Sequence, residues 1–233
     1  MHTVGFAVHA DSMMYETAIA AEVFGVDRSE LSSTGEWYEL VVCTADGSPS
    51  AWFPHVRTLD FAALSEVDTV VVPSTNVLTD ECDPALSAAL NAAHRAGARI
   101  AALCTGAFVL AAAGLLDGRA ATTHWMHADQ LASDHPLVDV RPQVLYLEDG
   151  GVFTSAGKTA ALDLCLHLVY LDFGAAAANA LARRLVVPSH RPGGQAQFVA
   201  APADPRVSGR LGPALDWARA RLDQPFTIRD LAR

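Results

Sequence analysis

The sequence predicts an α/β fold with a central, mostly parallel sheet covered by helices on both faces. Three observations carry this. Short apolar runs, β-branched or alternating, recur at 3–9 (TVGFAVH), 38–43 (YELVVC), 68–72 (DTVVV) and 98–103 (ARIAAL), and such runs read as strands. Helical stretches at 12–26 and 83–96 lie between them. Of the 233 residues, 51% are hydrophobic, enough apolar material for one large core. Strands that alternate with helices must run parallel, with both faces buried.

Each element follows from local signals. The first 25 residues carry no basic region ahead of an apolar stretch, so no signal peptide is expected. Asp83 and Pro84 open the second helix as N-cap and first-turn proline. Gly97 closes it after His94 and Arg95. The longest apolar stretch, Ile100–Leu116, is short of a membrane span and is broken by Cys104-Thr105-Gly106. A strand, a tight turn and a helix account for it. Residues 143–147 and 151–154 read as further strands, joined by Glu148-Asp149-Gly150. The stretch 158–173, KTAALDLCLHLVYLDF, is apolar on nearly every face and reads as a buried helix.

After Gly174 the texture changes. An alanine-rich helix at 175–186 carries Arg183-Arg184 near its end, and VVPSHRPGG at 186–194 reads as a Pro/Gly linker. From Leu211 an amphipathic helix places Leu211, Leu215, Ala218 and Leu222 at helical spacing, until Gln224-Pro225 breaks it. Thr227 to Asp230 reads as a capping box opening a new helix, and the sequence stops three residues later. The expected organisation is a domain at 1–185, a linker at 186–210 and the truncated start of a further domain at 211–233.

Charge and cysteine usage exclude several function classes. The net charge of −10 opposes a generic nucleic-acid surface. From Gly174 onward nine arginines face four aspartates, about +5, which leaves about −15 on the first 173 residues. An acidic body with a basic arm suits a sensor joined to a DNA-binding module, while charge alone favours a solvated charged helix. The four cysteines (43, 82, 104, 165) form no C-x-x-C pair, so a zinc ribbon is excluded and reduced cytoplasmic thiols are expected.

The sharpest chemical feature is ARIAALCTGAFVLAAAGLL, where a strand delivers Cys104 to a turn and a helix follows. This resembles a nucleophile elbow, although it lacks the Gly-x-Ser-x-Gly string. A thiol at a helix N-terminus sees the positive end of the dipole and free N–H groups, so a lowered thiol pKa is expected. His124 and Glu16 complete a possible Cys–His–acid constellation. An ionised Glu16 would raise the thiol pKa; it helps only when protonated and donating a hydrogen bond. His124 and His127 lack a third ligand at a sensible spacing, so no metal is expected. Gly157-Lys158-Thr159 lacks the earlier glycine of a phosphate loop, since Val152 stands there. Lys158 faces solvent, an anionic ligand or Glu16.

Three strings then look familiar: ALCTGAFVLAAAGLLDGRAATTHW, TSAGKTAALDLCLHLV and ARRLVVPSHRPGGQAQF. Together they resemble AraC-family transcription regulators that carry an N-terminal PfpI-like, glutamine amidotransferase-like domain. The opening MYETAIAAEVFGVD is most like the A-factor-responsive actinobacterial subgroup. The resemblance implies a flavodoxin-like sandwich with a C-terminal helical extension. It implies the ligand-sensing and dimerising part of a regulator: a homodimer with a small-molecule effector, no cofactor and no membrane partner, touching DNA only through a C-terminal helix-turn-helix domain that is largely missing here. It places ligand binding at Glu16, Cys104, Thr105, Gly106, His124 and Lys158, with no catalytic residue expected. The alternative is a PfpI-like cysteine hydrolase or isonitrile-hydratase-like enzyme using Cys104, Glu16 and His124. Val72-Pro73-Ser74-Thr75 departs from the glycine pair that gives many of those enzymes an oxyanion donor, and Lys158 departs from the small residue of the regulators.

Overall fold

The computed structural model describes residues 1–79, 81–188 and 191–197, together with Trp217, Arg221, Thr227 and Asp230. The chain divides into two units, Met1–Gln197 and Phe198–Arg233. In the second, the Thr227 N–H and hydroxyl both donate to the Asp230 carboxylate, at 2.9 and 2.6 Å. The remainder of the expected helices at 211–233 lies outside the described residues.

The first unit opens with β1 (His2–Ala7) and α1 (Met14–Phe24), then β2 (Tyr38–Thr44), β3 (Thr58–Asp60) and β4 (Thr69–Val72). Next come α2 (Pro84–Ala96), β5 (Arg99–Ala102), α3 (Gly106–Ala112) and the short β6 (Ala120–Ala121). α4 (Ala128–Asp134), β7 (Asp139–Val140), β8 (Tyr146–Asp149), β9 (Val152–Ser155) and α5 (Ala160–Arg184) complete it. Seven strands form one sheet in the order β3-β2-β1-β4-β5-β9-β8. Every neighbouring pair is parallel except β8 with β9. The four strands read from the sequence thus lie side by side and parallel, as expected.

Strand alternation builds two cores. Val4, Phe6, Val42, Val71, Ala101 and Phe153 pack on the face covered by α1 and α5. Ala7, Val41, Val70, Val72, Ile100 and Ala102 pack on the opposite face, under α2 and α3. Asp83 caps α2 by accepting from the Ala85 N–H at 2.7 Å, and Gly97 ends it at φ 96°.

One element differs from the sequence reading. β8 begins at Tyr146, later than the stretch at 143–147, where Leu145 and Tyr146 direct their N–H groups at Gly193 O. As the sequence reading expects, two helices flank Gly174, whose non-helical backbone (φ 83°, ψ 176°) breaks α5. Just before the break, Arg99 holds Asp172 with two bonds of 2.8 Å, and Tyr38 donates to the same carboxylate at 2.7 Å. Trp37 stacks on Phe173 with ring centroids 4.8 Å apart. α5 is long and apolar enough to cross a membrane, yet half of its most apolar window is buried against the sheet.

Segment 191–197 packs on the domain. The first unit therefore runs on to Gln197, past the boundary expected at Leu185.

Candidate functional site

Five segments converge at the carboxyl ends of the parallel strands, where ligands collect in open α/β sheets. The loops after β1 and β4 are zipped together: Ser12 bridges Thr75, Met13 N–H donates to Ser74 O at 2.8 Å, and Asn76 N–H donates to Asp11 O at 3.2 Å. This brings Glu16, in the first turn of α1, against the loop that follows β4. Glu16 is fully buried, and its Oε2 accepts from the Ser74 hydroxyl at 2.7 Å. Its Oε1 makes no hydrogen bond and sits 3.1 Å from Lys158 Nζ. Lys158 precedes α5, keeps about half its side chain exposed (48%) and lies 5.8 Å over the Tyr15 ring. Lys158 thus pairs with Glu16 while remaining open to solvent.

Cys104 occupies the elbow at φ 54°. A non-glycine residue there costs about 1–2 kcal/mol and persists only when its surroundings hold it. They do. Cys104 N–H donates to Ser155 Oγ at 3.3 Å, and its carbonyl accepts from the Thr123 hydroxyl at 3.0 Å. Thr105 laces the turn to the β4 loop, donating to Thr75 O at 2.7 Å and accepting from Thr75 N–H at 3.0 Å. Gly106 lies so close to β4 that a Cβ would fall 2.6 Å from Pro73 O.

His124 follows β6, and its Nδ1 accepts from Met126 N–H at 3.2 Å. The His124 ring and the Cys104 thiol meet over Gly157. A Cβ on Gly157 would stand 1.9 Å from His124 Cδ2 and 3.0 Å from Cys104 Sγ. Glu16, Cys104, Thr105, Gly106, His124 and Lys158 are therefore assembled around one spot. His124 and His127 lie with ring centroids 5.8 Å apart.

The electrostatics reverse one expectation. The Cys104 thiol is pushed up to about 12, first by burial and next by the Glu16 carboxylate. The Thr105 N–H and Lys158 pull the other way and lose. The elbow donors do not prevail because Cys104 is 3% exposed and α3 is a single short helix of seven residues. His124 is lowered by burial, with His127 and Lys158 adding to the effect. Burial thus works against both the thiolate and the imidazolium, the charged forms that a nucleophilic Cys–His pair uses.

Sequence reasoning did not single out Gly157, Ser155, Thr123 or Gln197. Gly157 had drawn notice only as part of a failed phosphate loop; its signal was a glycine directly after a strand end. Ser74 was noted only as a departure, yet its hydroxyl is what Glu16 binds. Beside the site a cavity of about 520 Å³ is lined by residues that include His9, Asp11, Thr75, Cys82 and Asp83.

HTH-type transcriptional regulator ArgR of Pseudomonas aeruginosa is 35% identical over 153 residues, 64% of this chain and 46% of the regulator. The chain thus spans about half the length of that relative. An isonitrile hydratase of Pseudomonas putida is 34% identical over 134 residues, 56% of this chain and 52% of the hydratase. Among solved structures, an AraC family transcriptional regulator from Pseudomonas putida superposes with a TM-score of 0.65 at 23% identity, covering 79% of this chain and all of that one. The model of the DJ-1/PfpI family matches residues 6–171, and the chain belongs to that family.

Proposed function

We propose that residues 1–197 are the effector-sensing and dimerising part of an AraC-type transcription regulator. A small polar molecule binds at Glu16, Cys104, Thr105, Gly106, His124 and Lys158, and nothing is turned over there. The observation that carries this reading is the packing of Cys104, which is 3% exposed and faces the fully buried Glu16 carboxylate. Burial and Glu16 both raise the thiol, whereas thiol enzymes depress it. The string Val72-Pro73-Ser74-Thr75, standing where many of the related enzymes carry a glycine pair that supplies an oxyanion donor, adds to the case. The likeness to regulators such as ArgR supports the same side.

DNA contact is assigned to a helix-turn-helix domain and not to residues 1–197, whose acidic surface repels phosphate. Homodimerisation is assigned to α1, which exposes Met14 and Tyr15, and to the helical stretch after Gly174. The protein acts in the cytoplasm.

The test is a thermal-shift screen of small polar metabolites on wild-type protein, Glu16→Gln and Lys158→Met, run beside turnover assays with simple amides, isonitriles and α-oxoaldehydes. A ligand that raises the wild-type Tm and fails on both variants is expected, with no turnover above background. Robust turnover that vanishes in Cys104→Ser would replace this reading with the enzymatic one, which the hydratase relative keeps in view. Light scattering at micromolar concentration should return a dimer mass.

A further inference from the structure

The string RPGGQAQ at 191–197, part of the expected linker, is fastened to the domain at three places. Arg191 grips Asp163 with two bonds, Nε to Oδ1 at 2.8 Å and Nη2 to Oδ2 at 2.5 Å, and Asp163 is 8% exposed. The Gly193 carbonyl accepts from Leu145 N–H at 2.6 Å, and a Cβ on Gly193 would fall 2.4 Å from Tyr146 O. A glycine is therefore required at that crossing. The third fastening is Gln197, a buried polar side chain whose whole amide is used. Its Nε2 donates to Thr123 O and Val144 O, both at 3.0 Å, and to Thr122 Oγ1 at 3.2 Å. Its Oε1 accepts from Trp125 N–H at 3.0 Å.

Those partners bracket one residue. Thr123 O and Trp125 N–H are the main-chain groups on either side of His124, so a single carboxamide holds the His124 loop from outside. From inside, the same loop is held to the elbow by Thr123 Oγ1 on Cys104 O, and the His124 ring stands on Gly157 beside the thiol. A displacement of His124 must shift one or both groups that Gln197 binds. Gln197 is the last residue of the first unit.

We propose that Gln197 is a latch: it ties the segment leaving the domain to the His124 loop, and occupancy of the Cys104–His124 site loosens or tightens residues 191–197 through it. The proposal rests on reading that site as the effector site. Its test uses neither effector nor DNA, so failure of either idea can be told apart.

The measurement is amide hydrogen exchange on the 233-residue chain. Gly157→Ala supplies the perturbation, because the added methyl must drive His124 aside while leaving every Gln197 partner chemically intact. The amides of Trp125, Leu145 and Tyr146 should then exchange about tenfold faster, the loss of roughly one net hydrogen bond each. Gln197→Ala should expose the same three amides, and the double variant should add nothing. Gln197→Glu should release them further, because a carboxylate would face Thr123 O, Val144 O and Thr122 Oγ1 with no proton to give. Should Gly157→Ala fail to fold, His124→Ala is read the same way. The latch is refuted if His124 moves, seen in its ring resonances, while Leu145 and Tyr146 exchange as in wild type. It is equally refuted if Gln197→Ala leaves Trp125 protected.

Discussion

Removing the Glu16 charge should make Cys104 more reactive, the reverse of what a catalytic Cys–Glu pair would give. In Glu16→Gln the side-chain shape is kept and Ser74 retains a partner. The negative charge that opposes thiolate is gone, while the Lys158 ammonium that favours it stays. One charge at close range in a partly buried site is worth about 1–3 kcal/mol, so the thiolate fraction at fixed pH should rise about 5- to 150-fold. It should not rise further, because burial is the larger cause of the upward displacement and is unchanged. The assay is the second-order rate of iodoacetamide alkylation across neutral to alkaline pH, in a background with Cys43, Cys82 and Cys165 replaced. The isosteric substitution leaves access unaltered, so the rate ratio reports thiolate. Lys158→Met should move the rate the opposite way. A folded Glu16→Gln protein that alkylates no faster than its parent would refute the reasoning, and would mean that Glu16 donates a proton to the thiolate.

Three further outcomes follow from the same structure. In the wild-type chain Cys82 should react with peroxide or alkylating agents before Cys104, since it is partly exposed and pushed only to about 11, against about 12 for Cys104; mass-spectrometric mapping of the first labelled peptide decides it. Cys43 and Cys104 are raised from 9.0 to about 12 in the folded state, so the stability they contribute is whole below pH 9 and is lost as pH climbs toward 12. The Tm should fall across that window, and the fall should be shallower in Cys104→Ser. Gly106→Ala forces a methyl to 2.6 Å from Pro73 O and 2.8 Å from Val72 O, both main-chain atoms. It should cost about 3 kcal/mol by denaturant titration, and an unchanged midpoint would contradict the close approach of α3 to β4.

The sequence by itself determined the parallel core, the Asp83 and Gly97 ends of α2, the break at Gly174 and the elbow at Cys104. Those features are written in local periodicity, capping chemistry and glycine placement, which act over a few residues. It also named Glu16, Cys104, His124 and Lys158 as candidates. The sheet order belonged to tertiary structure, because β3 is three residues long and β5 takes β9 as its neighbour, pairing Ile100 with Val152 at a sequence distance no local pattern encodes. So did the sign of the Cys104 shift: helix-end donors are local, but burial and the approach of Glu16 from beyond β4 are not, and they outweigh them. The fate of RPGGQAQ was decided in the same way. Proline and glycine read locally as a free linker, yet Asp163, Tyr146 and the loop 122–125 supply the partners that hold it down, and those partners come together only once the strands are in place.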